Sequence, residues 1–114
     1  MGCALPGGRH PDAAVVRGEI DDYLDHPPTA GDVASVIEVA DSSLATDLGP
    51  KLASYAAAGV RQYVVADLVN DRVLVHERPV ENTYASVVAL ERGETVQISA
   101  GTAAVPMAVD RLLP

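Results

Sequence analysis

The stretch VASVIEVA, residues 33–40, constrains this chain more than any other. An almost unbroken apolar run between Asp32 and Asp41 suits a central β-strand covered on both faces. Side chains alternate along a strand. Ala34, Val36, Glu38 and Ala40 therefore share one face, and Val33, Ser35, Ile37 and Val39 share the other. Glu38 points where its neighbours are small and apolar. Burying a lone carboxylate costs several kcal/mol unless it is paired, protonated or bound to a metal.

Three partners are within reach of the sequence. Asp12 opens a short strand candidate, AAVVR (13–17), and neighbouring strands would bring it close to Glu38. Two carboxylates alone repel each other, and a shared divalent cation removes that problem. Mg²⁺ takes one or two carboxylates and keeps several waters. Lys51 stands early on the helix expected to leave the strand, so its long side chain reaches the same spot. Two carboxylates, a cation and a lysine are the parts needed to hydrolyse a phosphodiester: the metal activates water, and the ammonium stabilises developing charge. Plainer readings stand beside this one. Glu38 could pair with Arg9 or Arg61, or lie on an edge strand. Asp47 and Lys51, four apart, could form an ordinary surface ion pair. Asp12, after Pro11, could be a turn residue, and Ser42-Ser43 are turn or capping residues.

The rest of the chain supplies a mixed α/β layer with one main helix, about 47–58, packed on a sheet. Leu48, Leu52, Tyr55 and Ala56 fit one helical face. Thr46 or Asp47 can cap its start, Pro50 is tolerable in its first turn, and Gly59 suits its end. RQYVVADL (61–68) and RVLVHE (72–77) read as strands around an Asn70-Asp71 turn, followed by TYASVVAL (83–90) and TVQIS (95–99). Residues 104–114, AVPMAVDRLLP, read as an amphipathic tail forming a short helix. Residues 1–11 read as a flexible N-terminus, and 12–114 as one domain.

Composition narrows the function. The chain has 114 residues and a formal net charge of −8, with eight Lys and Arg in total, which disfavours a general nucleic-acid binder. Cys3 is the only cysteine, so no intrachain disulfide forms and a cytoplasmic setting is expected. Its place in the loose N-terminus argues against catalysis. His10, His26 and His76 are too dispersed for a structural zinc site. No apolar run approaches the ~20 residues of a membrane span, and no signal-peptide core stands at the start.

The segments RHPDAAVV (9–16), 32–67, RVLVHERP (72–79) and AVDRLLP (108–114) resemble the Uma2 family of restriction-endonuclease-like proteins, a branch of the PD-(D/E)XK nuclease fold. The resemblance implies a restriction-endonuclease-like mixed sheet and Mg²⁺- or Mn²⁺-dependent cleavage of DNA. By it, Asp12 and Glu38 would be the metal ligands. The family pattern's lysine, two residues after the acid, falls at Ala40. Lys51 is the matching residue, moved to the following helix, with Asp47 beside it. Relatives carry a longer N-terminal part, so the front of the fold is expected to be missing. That leaves a second reading: a catalytically inactive, nuclease-fold oligomerising or binding module. Uncovered sheet surface would in either case favour a homo-oligomer.

Overall fold

The computed structural model describes residues 13–16, 33–42, 44–100 and 103–113. Residues 1–12, and with them the expected flexible segment 1–11, Asp12, Cys3, Arg9 and His10, lie outside the described residues, as does His26. Among the described residues seven strands run in the order β1 (Ala13–Val16), β2 (Val33–Ala40), β3 (Gln62–Asp67), β4 (Arg72–Val80), β5 (Thr83–Leu90), β6 (Thr95–Ser99) and β7 (Ala104–Ala108). Helices α1 (Leu44–Leu48) and α2 (Pro50–Ala57) lie between β2 and β3, and α3 (Val109–Leu112) follows β7. The first five strands form one sheet in chain order, and β6 and β7 form a separate two-stranded sheet. β2 and β3 are parallel, joined across the helices; the β1–β2, β3–β4 and β4–β5 pairs are antiparallel. This is the mixed, restriction-endonuclease-like α/β layer that the sequence implies.

β2 is an interior strand, as its apolar run requires, and both faces of the sheet are covered. On one face Val36, Ala40, Tyr63, Val65, Leu74 and Tyr84 pack with Tyr55, Ala56 and Val60 from α2 and its end. On the other, Ile37, Val64, Ala66, Val73 and Val75 pack against Val96, Ile98, Val109 and Leu113. The parity reading holds for Val36, Glu38 and Ala40 but fails at Val33, which packs in the helix-face cluster with Val36. The β1–β2 register shifts between Val15 and Val16, so Val16 pairs with Val33 rather than Ala34. An extra residue in one strand resets the alternation.

The main helix differs from the expected 47–58 in one respect: it begins at Leu44 and breaks at Gly49. Pro50 has no N–H to donate to the preceding turn, so the helix restarts with proline in its first turn. A Cβ at Gly49 would stand 2.9 Å from the carbonyl oxygen of Ala45, which leaves glycine as the residue that fits the bend. Asp47 is thus inside α1 rather than a cap. Gly59, at φ +80°, ends α2 as expected.

Two other readings need correction. The link between β3 and β4 spans 68–71 rather than Asn70-Asp71 alone. It is organised by Asp67, with Asp71 at φ 55°. Residues 104–108 are a strand, not part of a helix: Val105 pairs with Ile98 and Pro106 with Gln97. Proline is tolerated there because a two-stranded sheet has only edge strands. The helical part of the tail is confined to Val109–Leu112.

Candidate functional site

Glu38 is 1% exposed, in the C-terminal half of β2 on the helix face. Its compensation comes from the helix pair. The Lys51 ammonium donates to Glu38 Oε2 at 2.7 Å, and the same Nζ lies 3.0 Å from Oδ1 of Asp47. Asp47 is as buried as Glu38, while the Lys51 side chain keeps 23% of its exposure. The ion pair Asp47–Lys51 is therefore no solvated surface pair. It is one half of a three-residue cluster whose carboxylates are withdrawn from water and whose ammonium faces outward. Glu38 is neither on an edge strand nor paired with Arg61, which stands in no ion pair among the described residues.

The local fold explains how three charged groups meet. Lys51 lies in the first turn of α2, the end where the helix dipole disfavours a cation. The hydrogen bond from Lys51 to Glu38, aided by Asp47, outweighs partial burial and holds the ammonium well above the ordinary lysine value of 10.5. The group stays charged at neutral pH. Tyr63 on β3 fixes the other side: its hydroxyl donates to the Asp47 carbonyl at 2.8 Å. Burial, with the nearby negative charge of Glu38 and Asp47, pushes that phenol far above its usual range, so it serves as a neutral donor. Tyr63 is itself seated between Tyr55, 5.1 Å between ring centroids, and His76, 5.5 Å away. His76 Nδ1 lies 2.8 Å from the Tyr63 carbonyl oxygen.

Of the residues the sequence singles out, Glu38 and Lys51 are brought together. Asp12 lies outside the described residues, but the next residue, Ala13, pairs with Ile37, the neighbour of Glu38. The resemblance sets Asp47 beside Lys51 without giving it a role of its own, and nothing in the sequence singles out Tyr63. A signal for Asp47 existed: positions 44, 47, 48, 51, 52 and 55 form one helical stripe. Asp47 and Lys51 occupy the stripe that Leu44, Leu48, Leu52 and Tyr55 mark as buried. Two opposite charges on a buried stripe ask for a shared interior partner.

A model of the Uma2 family, described as "Putative restriction endonuclease", matches residues 1–110. The chain belongs to the Uma2 family. No curated protein matches it. The Uma2 assignment agrees with a mixed α/β fold in which a bent main helix packs on the sheet.

The donor set also bears on the metal expected of a nuclease of this kind. Glu38 and Asp47 offer hard carboxylate oxygens that converge on a single cationic atom, Lys51 Nζ, and such oxygens suit Mg²⁺ or Mn²⁺. Among the described residues no group of three or more His, Cys, Asp or Glu side chains gathers to hold a metal ion. The expected ligand pair includes Asp12, which is not among them. Among the described residues no helix is long and apolar enough to cross a membrane.

Proposed function

We propose that this Uma2 chain is a divalent-cation-dependent nuclease that hydrolyses DNA phosphodiester bonds in the cytoplasm. The single observation that carries the reading is the 2.7 Å contact between the Lys51 ammonium and buried Glu38 in a chain of this family. Asp12 and Glu38 would hold Mg²⁺ or Mn²⁺, with residues 12–114 acting as one domain. The bound cation would supply Lewis acidity and a water of lowered pKa. Lys51 would stand beside the cation ligands and stabilise charge developing on the phosphoryl oxygens. Asp47 would hold the Lys51 side chain extended from the opposite side, and Tyr63 would fix Asp47 through its backbone.

The inactive-module reading gains no support from this arrangement. Self-association remains part of the proposal. β5 is an edge of the main sheet, and Val80, Val87 and Val88 on the outer hairpin are each about half exposed or more, at 51%, 57% and 47%. Such edges tend to pair with a second copy.

The test is cleavage of supercoiled plasmid and of single-stranded DNA with Mg²⁺ or Mn²⁺ supplied. Wild-type protein should nick or digest one of them, and EDTA should stop it. Lys51→Met should lower the rate by roughly 100-fold or more, and Glu38→Gln should abolish it. A wild-type protein inert on both substrates with both cations would end this reading.

A further inference from the structure

A second polar feature lies away from the Glu38 cluster. At the N-terminal end of β3 a cavity of about 630 Å³ opens, lined by Gly59, Arg61, Gln62, Glu77, Arg78 and residues of β5 and β6. β3 runs from this cavity at Gln62 to Val65 beside Glu38, roughly 10 Å along the strand. Such a volume lies in the range of small-molecule sites.

The floor of the cavity is built. Gln62 is 1% exposed, and its amide ties together four strands. Its Nε2 donates to the Gln97 carbonyl at 2.8 Å and to Glu77 Oε2 at 3.2 Å. Its Oε1 accepts from the Ser99 amide at 2.8 Å and from the Ser35 hydroxyl. The walls carry the charge. Among the described residues Lys51, Arg72 and Arg92 stand in ion pairs. Arg61 and Arg78 stand in none, and both line this cavity. In a chain of net charge −8, two guanidinium groups that stand in no ion pair bring positive charge together at one opening. Arg78 also holds φ +58°, a left-handed conformation that residues other than glycine adopt rarely, inside a β-strand. Strained backbone of this sort clusters at ligand sites.

We infer that this cavity is a phosphate-binding site for a nucleotide, either free or within a DNA strand, with Arg61 and Arg78 holding the phosphate. Guanidinium groups recognise phosphate oxygens through paired, charge-assisted hydrogen bonds. Two cations against the one carboxylate of Glu77 match a singly charged phosphodiester. Glu77 in turn provides an acceptor for the amino group of a base. The site goes beyond the proposed nuclease reaction and requires neither a metal nor cleavage.

The experiment follows binding in EDTA, so its outcome is separate from that of the nuclease reading. A fluorescein-labelled single-stranded oligonucleotide is titrated with the full chain, and inorganic phosphate and deoxycytidine monophosphate are tried as competitors. The probe should bind. Arg61→Ala combined with Arg78→Gly should weaken it by about tenfold or more, while Arg111→Ala, away from the cavity, should leave affinity within about twofold. Glycine at 78 accepts the left-handed backbone, and circular dichroism checks the fold. Should the pair perturb it, the single change Arg61→Gln, outside the strands, must still weaken binding. Competition by phosphate and the mononucleotide alike assigns the anion alone. Stronger competition by the mononucleotide assigns the base contact as well, and failure of both competitors assigns a strand. A wild-type protein that does not bind the probe overturns the inference, as does an Arg111→Ala loss equal to that of the cavity variants.

Discussion

Two buried acidic centres sit at the same end of the sheet, and they are built in opposite ways. Asp67, at the end of β3, is fully buried and held by its own turn. It accepts from the Val69 and Asn70 amides at 3.0 Å each, from Asn70 Nδ2 at 2.8 Å and from Arg72 Nε at 3.3 Å. Every one of these donors lies within five residues of it. Glu38 instead draws its cation from thirteen residues away, across a strand end and a broken helix, and shares it with Asp47. The first arrangement closes a β-turn and forms wherever the local chain folds. The second exists only when β2, α1, α2 and β3 are all in place, and its ammonium keeps a face to solvent. Local saturation marks a structural carboxylate. Long-range convergence on one partly exposed cation is the arrangement that the proposed nuclease site would need.

The largest expected effect breaks this comparison directly. Lys51→Met keeps the length of the side chain and removes the charge shared by two buried carboxylates. It should lower stability to urea by about 3 kcal/mol, the low end for removing one partner of a buried pair because the ammonium is partly exposed. Arg72→Ala removes a cation that is 40% exposed from an already saturated Asp67, and should cost under about 1 kcal/mol. Equal losses in the two variants would mean that the two centres are alike.

Asp67→Ala comes next. It strips the acceptor from two backbone amides and should cost about 2 kcal/mol, while leaving any response to Mg²⁺ unchanged. Its pH dependence has a definite sign. Burial pushes this carboxyl up, but the hydrogen bonds from Asn70, Arg72 and Val69 outweigh it, so it titrates below its ordinary 3.8 in the folded protein. The stability it supplies is complete above 3.8 and is lost as pH falls toward the lower folded value. Urea midpoints between pH 5 and 3 should therefore fall less steeply in Asp67→Ala than in the wild type.

How much of this was legible in the sequence follows the same division between local and long-range. VASVIEVA announced a covered strand because eight consecutive residues carried the pattern, and parity put Glu38 on one face with Val36 and Ala40. Lys51 could be picked as its partner from the length of its side chain and its place early on the next helix. The bend at Gly49 could not be read, because Leu44, Leu48 and Leu52 keep one continuous stripe through it. What interrupts the helix is the missing Pro50 N–H. β7 was missed for a related reason: AVPMA has no alternation of polar and apolar residues, and its strand character comes from β6 beside it. The cavity at Arg61 and Arg78 was not legible at all, since it joins the ends of β3 and β4 to β5 and β6.

A smaller effect sharpens the contrast from the metal side. Mg²⁺ at ten times its dissociation constant should stabilise the wild type by about 1.4 kcal/mol. Glu38→Gln should erase that gain, because the amide keeps the shape and loses the charge. Thermal melts with and without 10-fold excess cation read both. A gain that survives in Glu38→Gln would move the cation elsewhere.

The smallest effect concerns the support behind the site rather than the site itself. His76 is buried between Tyr63 and Tyr84, with centroids 5.5 and 5.9 Å away. Burial holds its imidazole below the ordinary 6.5, and the bond to the Tyr63 carbonyl only partly offsets this. With its folded value depressed, the neutral ring is the folded form. As pH falls below 6.5 the unfolded chain takes up the proton first, so stability declines over that interval and is restored as pH rises. Tyr63 carries the consequence forward, since its hydroxyl holds the backbone of Asp47. Between pH 7.5 and 5.5 the wild type should lose under about 1 kcal/mol through this group, and His76→Gln should lose correspondingly less over the same range. Asp67→Ala should track the wild type there, because the Asp67 carboxyl titrates only at lower pH. If His76→Gln and the wild type decline in parallel from pH 7.5 to 5.5, the imidazole is not the group that couples the aromatic cluster to pH.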